Sequence, residues 1–99
     1  MAYYTLALIK KNLEILPSDT SLDATLDLYG AEADAWVDSV LGRGTALATV
    51  PTTITHIASN YAAGRYLSRI KEQAIGDKII EEAKAALREY IKGPGMINI

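Results

Sequence analysis

Residues 51–71 read PTTITHIASNYAAGRYLSRIK, and the fold turns on how this stretch is read. Ile54, Ile57, Ala58, Tyr61, Ala62, Leu67 and Ile70 recur mainly at intervals of three and four, the period of a helix and not of a strand. The apolar arc is wide, so this helix is expected over residues 52–71 as the most buried element. Pro51 suits a first helical turn, where its missing N–H has no partner to lose. Ala62-Ala63-Gly64 is small enough to let a second helix backbone approach closely, because interiors are packed without voids.

Working outward toward the N-terminus, residues 42–51 (GRGTALATVP) carry no helical period and form the one irregular linker. Before them, Leu22, Leu26, Tyr29, Ala33, Trp36, Val37, Val40 and Leu41 make a single stripe that predicts a helix to about residue 41. Thr20 and Asp23 have the spacing of a capping box at its start. Gly30 interrupts it at a cost of about 1 kcal/mol relative to alanine. Thr5 can cap an earlier helix over residues 6–16, which Pro17 ends. Toward the C-terminus, Gly76-Asp77 reads as the start of a last helix reaching about residue 92. Its stripe is Ile79, Ile80, Ala83, Leu87, Tyr90 and Ile91. The expected class is therefore all-α: a small four-helix domain over residues 1–92, with one linker and an extended C-terminal tail over 93–99. No internal repeat is present.

The 99 residues suffice for one domain with a modest core. Cysteine is absent, which removes disulfides and thiolate metal sites. No basic region leads into an apolar run at the N-terminus, and no stretch approaches the ~18 apolar residues of a membrane span. The expected setting is a cytosol, without a membrane.

Charge is more informative than its net value of −2. Between Asn12 and Gly42 lie seven acids (Glu14, Asp19, Asp23, Asp27, Glu32, Asp34, Asp38) and no lysine or arginine. From Arg43 onward there are eight basic residues against five acidic ones. Such polarity bears on partners and orientation more than on fold, although a solvated helix face gives the same pattern.

Chemistry is scarce. His56 is the only histidine, with no second ligand or orienting partner at a useful spacing, so it reads as a packing or surface residue. No Gly-x-Ser-x-Gly elbow accompanies the serines. Gly42-Arg43-Gly44 follows no strand and resembles neither a P-loop nor a dinucleotide fingerprint. The i,i+4 pairs Asp23/Asp27 and Asp34/Asp38 could hold a cation, but solvated acidic faces are far commoner. No enzyme activity and no cofactor are expected. Lys84, Arg88 and Lys92 form one basic stripe, and Arg65 and Arg69 another. A nucleic-acid reader usually carries a basic balance, whereas this chain is acidic, and the macrodipole already favours cations near a helix C-terminus.

The tail has its own logic. Gly93-Pro94-Gly95 stops a helix, and Met96-Ile97-Asn98-Ile99 has no charged side chain. In an extended chain Ile97 and Ile99 face the same way. Each isoleucine buried on a partner would contribute about 1.5–3 kcal/mol before ordering costs. Met96, Ile97 and Ile99 are thus candidate partner-binding residues, unless the tail folds back onto its own domain.

Three stretches carry a family resemblance: YYTLALIKKNL (3–13), LDLYGAEADAWVDSVLG (26–42, with Ala33 followed by Val37, Asp38 and Leu41) and VPTTITHIASNYAAGRYLSRI (50–70). Together they resemble the small head–tail connector proteins of tailed bacteriophages and proviruses, also called adaptor or head-completion proteins. The likeness spans roughly residues 3–92 and rests on small and apolar patterns of low specificity. It implies a structural virion protein, made in the host cytoplasm, that forms a homo-oligomeric ring, commonly of twelve subunits. The ring would lie beneath the portal, join capsid to tail and dock a tail or stopper protein. DNA would pass through its lumen without specific binding, since only cationic surfaces release its counterions. On that expectation Asp34 and Asp38 of one subunit would meet Lys84, Arg88 and Lys92 of the next, and the tail would dock on the portal. The alternative from another class is a small helical regulatory or nucleic-acid-binding module.

Overall fold

The computed structural model describes residues 3–41 and 51–92. Among them are four α-helices and one π turn, with no strand. α1 is Leu6–Asn12, α2 Asp23–Leu41, α3 Thr52–Tyr66 and α4 Gln73–Lys92; the π turn Leu67–Lys71 joins the last two. The expected linker and tail lie outside the described residues.

α3 is the hub, touching α1, α2, α4 and the π turn. Its buried side includes Ile54, Ile57, Ala58, Ala62, Ala63 and Gly64, as its wide apolar arc requires. Leu26, Tyr29, Ala33 and Val37 of α2 pack on it from one flank, and Ala83 and Leu87 of α4 from the other. Register contacts show that α2 and α3 run antiparallel: Tyr29 meets Tyr66, Glu32 meets Arg65, and Trp36 meets Tyr61. The result is an elongated domain of 42 × 27 × 19 Å.

The expected close crossing of small residues exists, and a second glycine completes it. A Cβ built on Gly64 would lie 3.0 Å from side-chain atoms of Ile79 and Ile80 and 3.1 Å from the Gly76 carbonyl oxygen. A Cβ on Gly76 would lie 2.6 Å from both the Gly64 oxygen and Ser68 Cα. Gly76 therefore does not open α4, as the sequence suggested. The helix begins at Gln73, and Gly76 sits in its first turn because only hydrogen fits against the π turn. That turn closes through the Glu72 N–H donating to the Leu67 carbonyl at 2.8 Å.

α1 ends earlier than Pro17 would require. Thr5 caps its start as expected, its hydroxyl accepting from the Leu8 N–H at 3.2 Å. At the other end Glu14 takes φ 59°, Ile15 N–H donates to the Lys10 carbonyl at 2.8 Å, and Glu14 N–H donates to the Lys11 carbonyl at 3.1 Å. This is a Schellman stop with glutamate where glycine is usual. The helix closes at Asn12, and residues 15–22 become the connection.

The capping box expected from Thr20 and Asp23 is replaced by a longer-range contact. The Asp23 carboxylate turns to Lys10, whose ammonium lies 2.8 Å from Oδ1, off the direction of a hydrogen bond. Lys10 also donates to the Pro17 carbonyl at 3.2 Å, and is itself buried. An Asx turn, Asp19 Oδ1 accepting from the N–H and hydroxyl of Ser21, prepares the entry to α2.

Candidate functional site

Four surfaces and one groove hold the residues singled out by the sequence, or ones it missed. The first is the aspartate face of α2. Asp27, Asp34 and Asp38 repeat at seven and four, so their side chains line one side of the helix. The segment Tyr3-Tyr4-Thr5 is strapped along that side. Asp34 Oδ1 accepts from the backbone N–H of Tyr3 at 2.8 Å and of Tyr4 at 3.3 Å. Tyr3, fully buried, donates its hydroxyl to Asp38 Oδ1 at 2.5 Å. Tyr4 donates to Asp27 Oδ1 at 2.9 Å, and Thr5 N–H donates to Ser59 Oγ of α3 at 3.1 Å.

Gly30 explains itself here. A Cβ at that position would lie 2.6 Å from Tyr4 Cδ2, so the missing side chain is the slot for the Tyr4 ring. The electrostatics follow from the same packing. Desolvation, then the hydrogen bond and charge of Asp27, push the Tyr4 phenol up to about 12. Desolvation also raises Asp34, against the two backbone N–H bonds that oppose it. Asp34 and Asp38, expected at a contact between subunits, are thus engaged inside the subunit.

The second surface is the seam between α2 and α3. Arg65 donates from Nε and Nη2 to Glu32 Oε1 at 3.2 and 3.0 Å, and Arg69 approaches the other Glu32 oxygen at 3.9 Å. Trp36 stacks on Tyr61 with ring centroids 4.1 Å apart and planes 11° from parallel. The Arg65 guanidinium lies 6.0 Å from the Tyr61 ring centre. The pair Arg65 and Arg69, which the sequence offers as a basic stripe, is therefore drawn to an acid. No sequence spacing announces a Glu32–Arg65 pair; it needs the antiparallel register of two helices.

The third surface is the outer side of α4. Lys84 is half-buried and pairs loosely with Glu81, 3.7 Å away, while Arg88 is exposed. α4 continues to Lys92, but that side chain and the candidate tail residues Met96, Ile97 and Ile99 are outside what is described. The structure thus brings Asp34 and Asp38 together under the N-terminal strap, with Lys84 and Arg88 on a helix that packs on the other flank of α3. His56 is exposed on α3. Among the described residues no group of three or more His, Cys, Asp or Glu could hold a metal ion, and no helix is long and apolar enough to cross a membrane.

The fourth is apolar and was not foreseen. Leu28 is 69% exposed, and Ala24, Ala31 and Ala35 are exposed beside it on the outward side of α2. Their spacing of four, three and four makes an uncharged strip of the kind that packs on another helix. Elsewhere, Ala7, Ile15, Leu16 and Pro17 line an open groove of about 490 Å³ beside α1, rimmed by Lys11 and Glu14. Leu16 stands 70% exposed at its edge.

No family model, no curated protein and no solved structure matches the chain.

Proposed function

We propose that the chain is a structural connector subunit that self-associates into a ring, joins a viral capsid portal to the tail, and lets DNA pass without binding it specifically. The observation that carries this reading is the uncharged strip Ala24, Leu28, Ala31 and Ala35 on the outward face of a helix whose other faces are occupied. A strip of this kind suits burial against another protein surface, and a large apolar residue left bare at its centre is what an assembly contact would cover. Asp34 and Asp38 serve the subunit's own strap in this reading, so the ring contact rests on the apolar strip and on the exposed Arg88 more than on those two acids.

A regulatory or nucleic-acid-binding module fits less well. Such a module needs a basic footprint, and Arg65 is committed to Glu32. The reading is tested by replacing Leu28 with aspartate. Its exposure leaves the fold unaffected, while light scattering should show loss of the assembled species and a purified portal should no longer retain the chain. Full assembly of the Leu28→Asp variant, or a tight DNA complex at moderate salt, would remove the connector reading.

A further inference from the structure

We infer that the groove beside α1 is covered by this chain's own residues 96–99, which reach it from the end of α4. The inference goes beyond the connector reading and needs neither a ring nor a portal. It rests on where α1 is pinned and on the length of chain that follows Lys92.

α1 is pinned across the middle of α3. Before its first residue Thr5 N–H donates to Ser59 Oγ at 3.1 Å, and at its last residue Asn12 Nδ2 donates to Asn60 Oδ1. Asn60 and Gly64 are four apart, so they share one line of the α3 surface. Gly64 is the residue against which Ile79 and Ile80 of α4 pack. The closing end of α1 therefore comes down on the α4 flank of α3, one turn from that crossing. Lys11 and Glu14, on either side of Asn12, rim the groove.

α4 runs back along α3. From Ile80, level with Gly64, it advances about 18 Å to Lys92, the same length that separates Gly64 from Thr52. Lys92 is thus level with Thr52, and Asn60 lies ~12 Å further along that axis. Adding the ~8–10 Å between packed helix axes places the end of α1 about 15 Å from Lys92. An extended chain leaving Lys92 covers about 17 Å by Ile97 and about 24 Å by Ile99. Gly93 and Gly95 let the backbone reverse after the helix, so both isoleucines reach the groove of their own domain.

The chemistry of the two surfaces agrees. The groove, of about 490 Å³, is walled by Ala7, Ile15, Leu16 and Pro17, and Leu16 is 70% exposed at its edge. The segment Met96-Ile97-Asn98-Ile99 carries no charged side chain, and its two isoleucines face one way in an extended chain. A tether this short holds the segment at an effective concentration on the order of 1 mM, so a second copy at micromolar concentration does not compete for the groove. The linker over residues 42–50 is a poorer occupant. It leaves the end of α2, on the opposite flank of α3, and its Leu47 and Val50 are three apart, facing opposite ways when extended. A partner that takes up Met96, Ile97 and Ile99 must first draw them out of the groove, so the contact restrains any such docking.

The chain has no cysteine, so introduced pairs read the contact directly. Leu16→Cys with Ile97→Cys, at micromolar protein in a glutathione redox buffer, should close as a disulfide within one chain. His56→Cys with Ile97→Cys is the reference. His56 is exposed on α3 and lies nearer the level of Lys92 than the groove does, so an undocked segment would meet it more readily. The Leu16 pair should close at least tenfold more favourably than the His56 pair. Equal or weaker closure overturns the inference. So does a Leu16–Ile97 disulfide formed only between two chains, which would make a second copy the occupant, or a Leu16→Cys/Leu47→Cys chain that closes more favourably, which would make it the linker. Thermal unfolding supplies the second reading. Ile97→Asp/Ile99→Asp and Ala7→Asp/Leu16→Asp should each lower the melting temperature by about 4–8 °C, and the four changes together no further than either set. Additive losses, or no loss from either set, would overturn the inference as well.

Discussion

Replacing Gly76 with alanine sets two effects of opposite sign against each other at one atom. Alanine is the better helix former, and in an open helix interior the change would stabilise by about 0.8–1.0 kcal/mol. Here the added methyl would sit 2.6 Å from the Gly64 oxygen and 2.6 Å from Ser68 Cα, and both neighbours are backbone. Neither can swing aside as a side-chain tip would, so α4 must lift from α3 and the π turn. Overpacking of this kind costs about 1–3 kcal/mol. Lifting α4 also loosens Ile80, Ala83 and Leu87, which are buried against α3. With two backbone clashes and the loosened contacts placing the cost at the top of that range, the steric effect should exceed the propensity gain by about 2 kcal/mol. In a domain of this size each kcal/mol moves the melting temperature by about 4–8 °C, so a fall of roughly 10 °C is expected. The assay is thermal unfolding by circular dichroism, with Ala85→Gly at an exposed α4 position calibrating the propensity scale. A Gly76→Ala protein that melts at or above wild type would refute the close crossing of α3 and α4.

Three further outcomes follow from the strap and the α1 stop. Glu14→Gly removes a side chain held at φ 59° and should stabilise by about 0.5–1 kcal/mol, read as a higher urea midpoint at unchanged slope. Asp34→Lys with Asp38→Lys deprives two backbone N–H groups and the buried Tyr3 hydroxyl of their acceptor and should destabilise by about 2 kcal/mol or more; a loss below about 0.5 kcal/mol, the usual surface value, would mean that the strap is not held by these acids. Tyr4 should lend the fold an alkaline sensitivity. Its phenol is raised to about 12 in the folded state, against the ordinary 10, so the unfolded chain releases the proton first and stability falls as pH rises from 10 to 12. Subtracting the Tyr4→Phe profile isolates that slope, and identical profiles would refute the raised phenol that burial and Asp27 together produce.

The helices were legible because each carries a stripe at three and four that a strand cannot share, and the small cluster at Ala62-Ala63-Gly64 announced a close crossing. The boundaries were less so, for specific reasons. Gly76 followed by an aspartate looks like a helix start, yet its lack of a Cβ serves a backbone contact with residues 64 and 68. Glu14 gives no warning that it will take a left-handed conformation, so the sequence overextends α1. The aspartates of α2 are the larger lesson. Between apolar residues they look like a solvated or intersubunit face, and only the placement of Tyr3 and Tyr4 across them, some thirty residues away in sequence, turns them into acceptors. Gly30 looks like a defect for the same reason, since the ring it admits belongs to Tyr4, well outside its own helix. The Glu32–Arg65 pair and the α1 groove likewise exist only once helices are set side by side. The tail stands out by composition alone, and Met96, Ile97 and Ile99 lie outside the described residues.

The claim that this chain is a ring-forming connector meets its most direct test in negative-stain electron microscopy of the concentrated protein, alone and with a purified portal. The account predicts closed rings of uniform size with an open central channel, stacked coaxially on the portal when it is present and lost in the Leu28→Asp variant. Monomers or closed pairs under both conditions, with no density added to the portal, would contradict it.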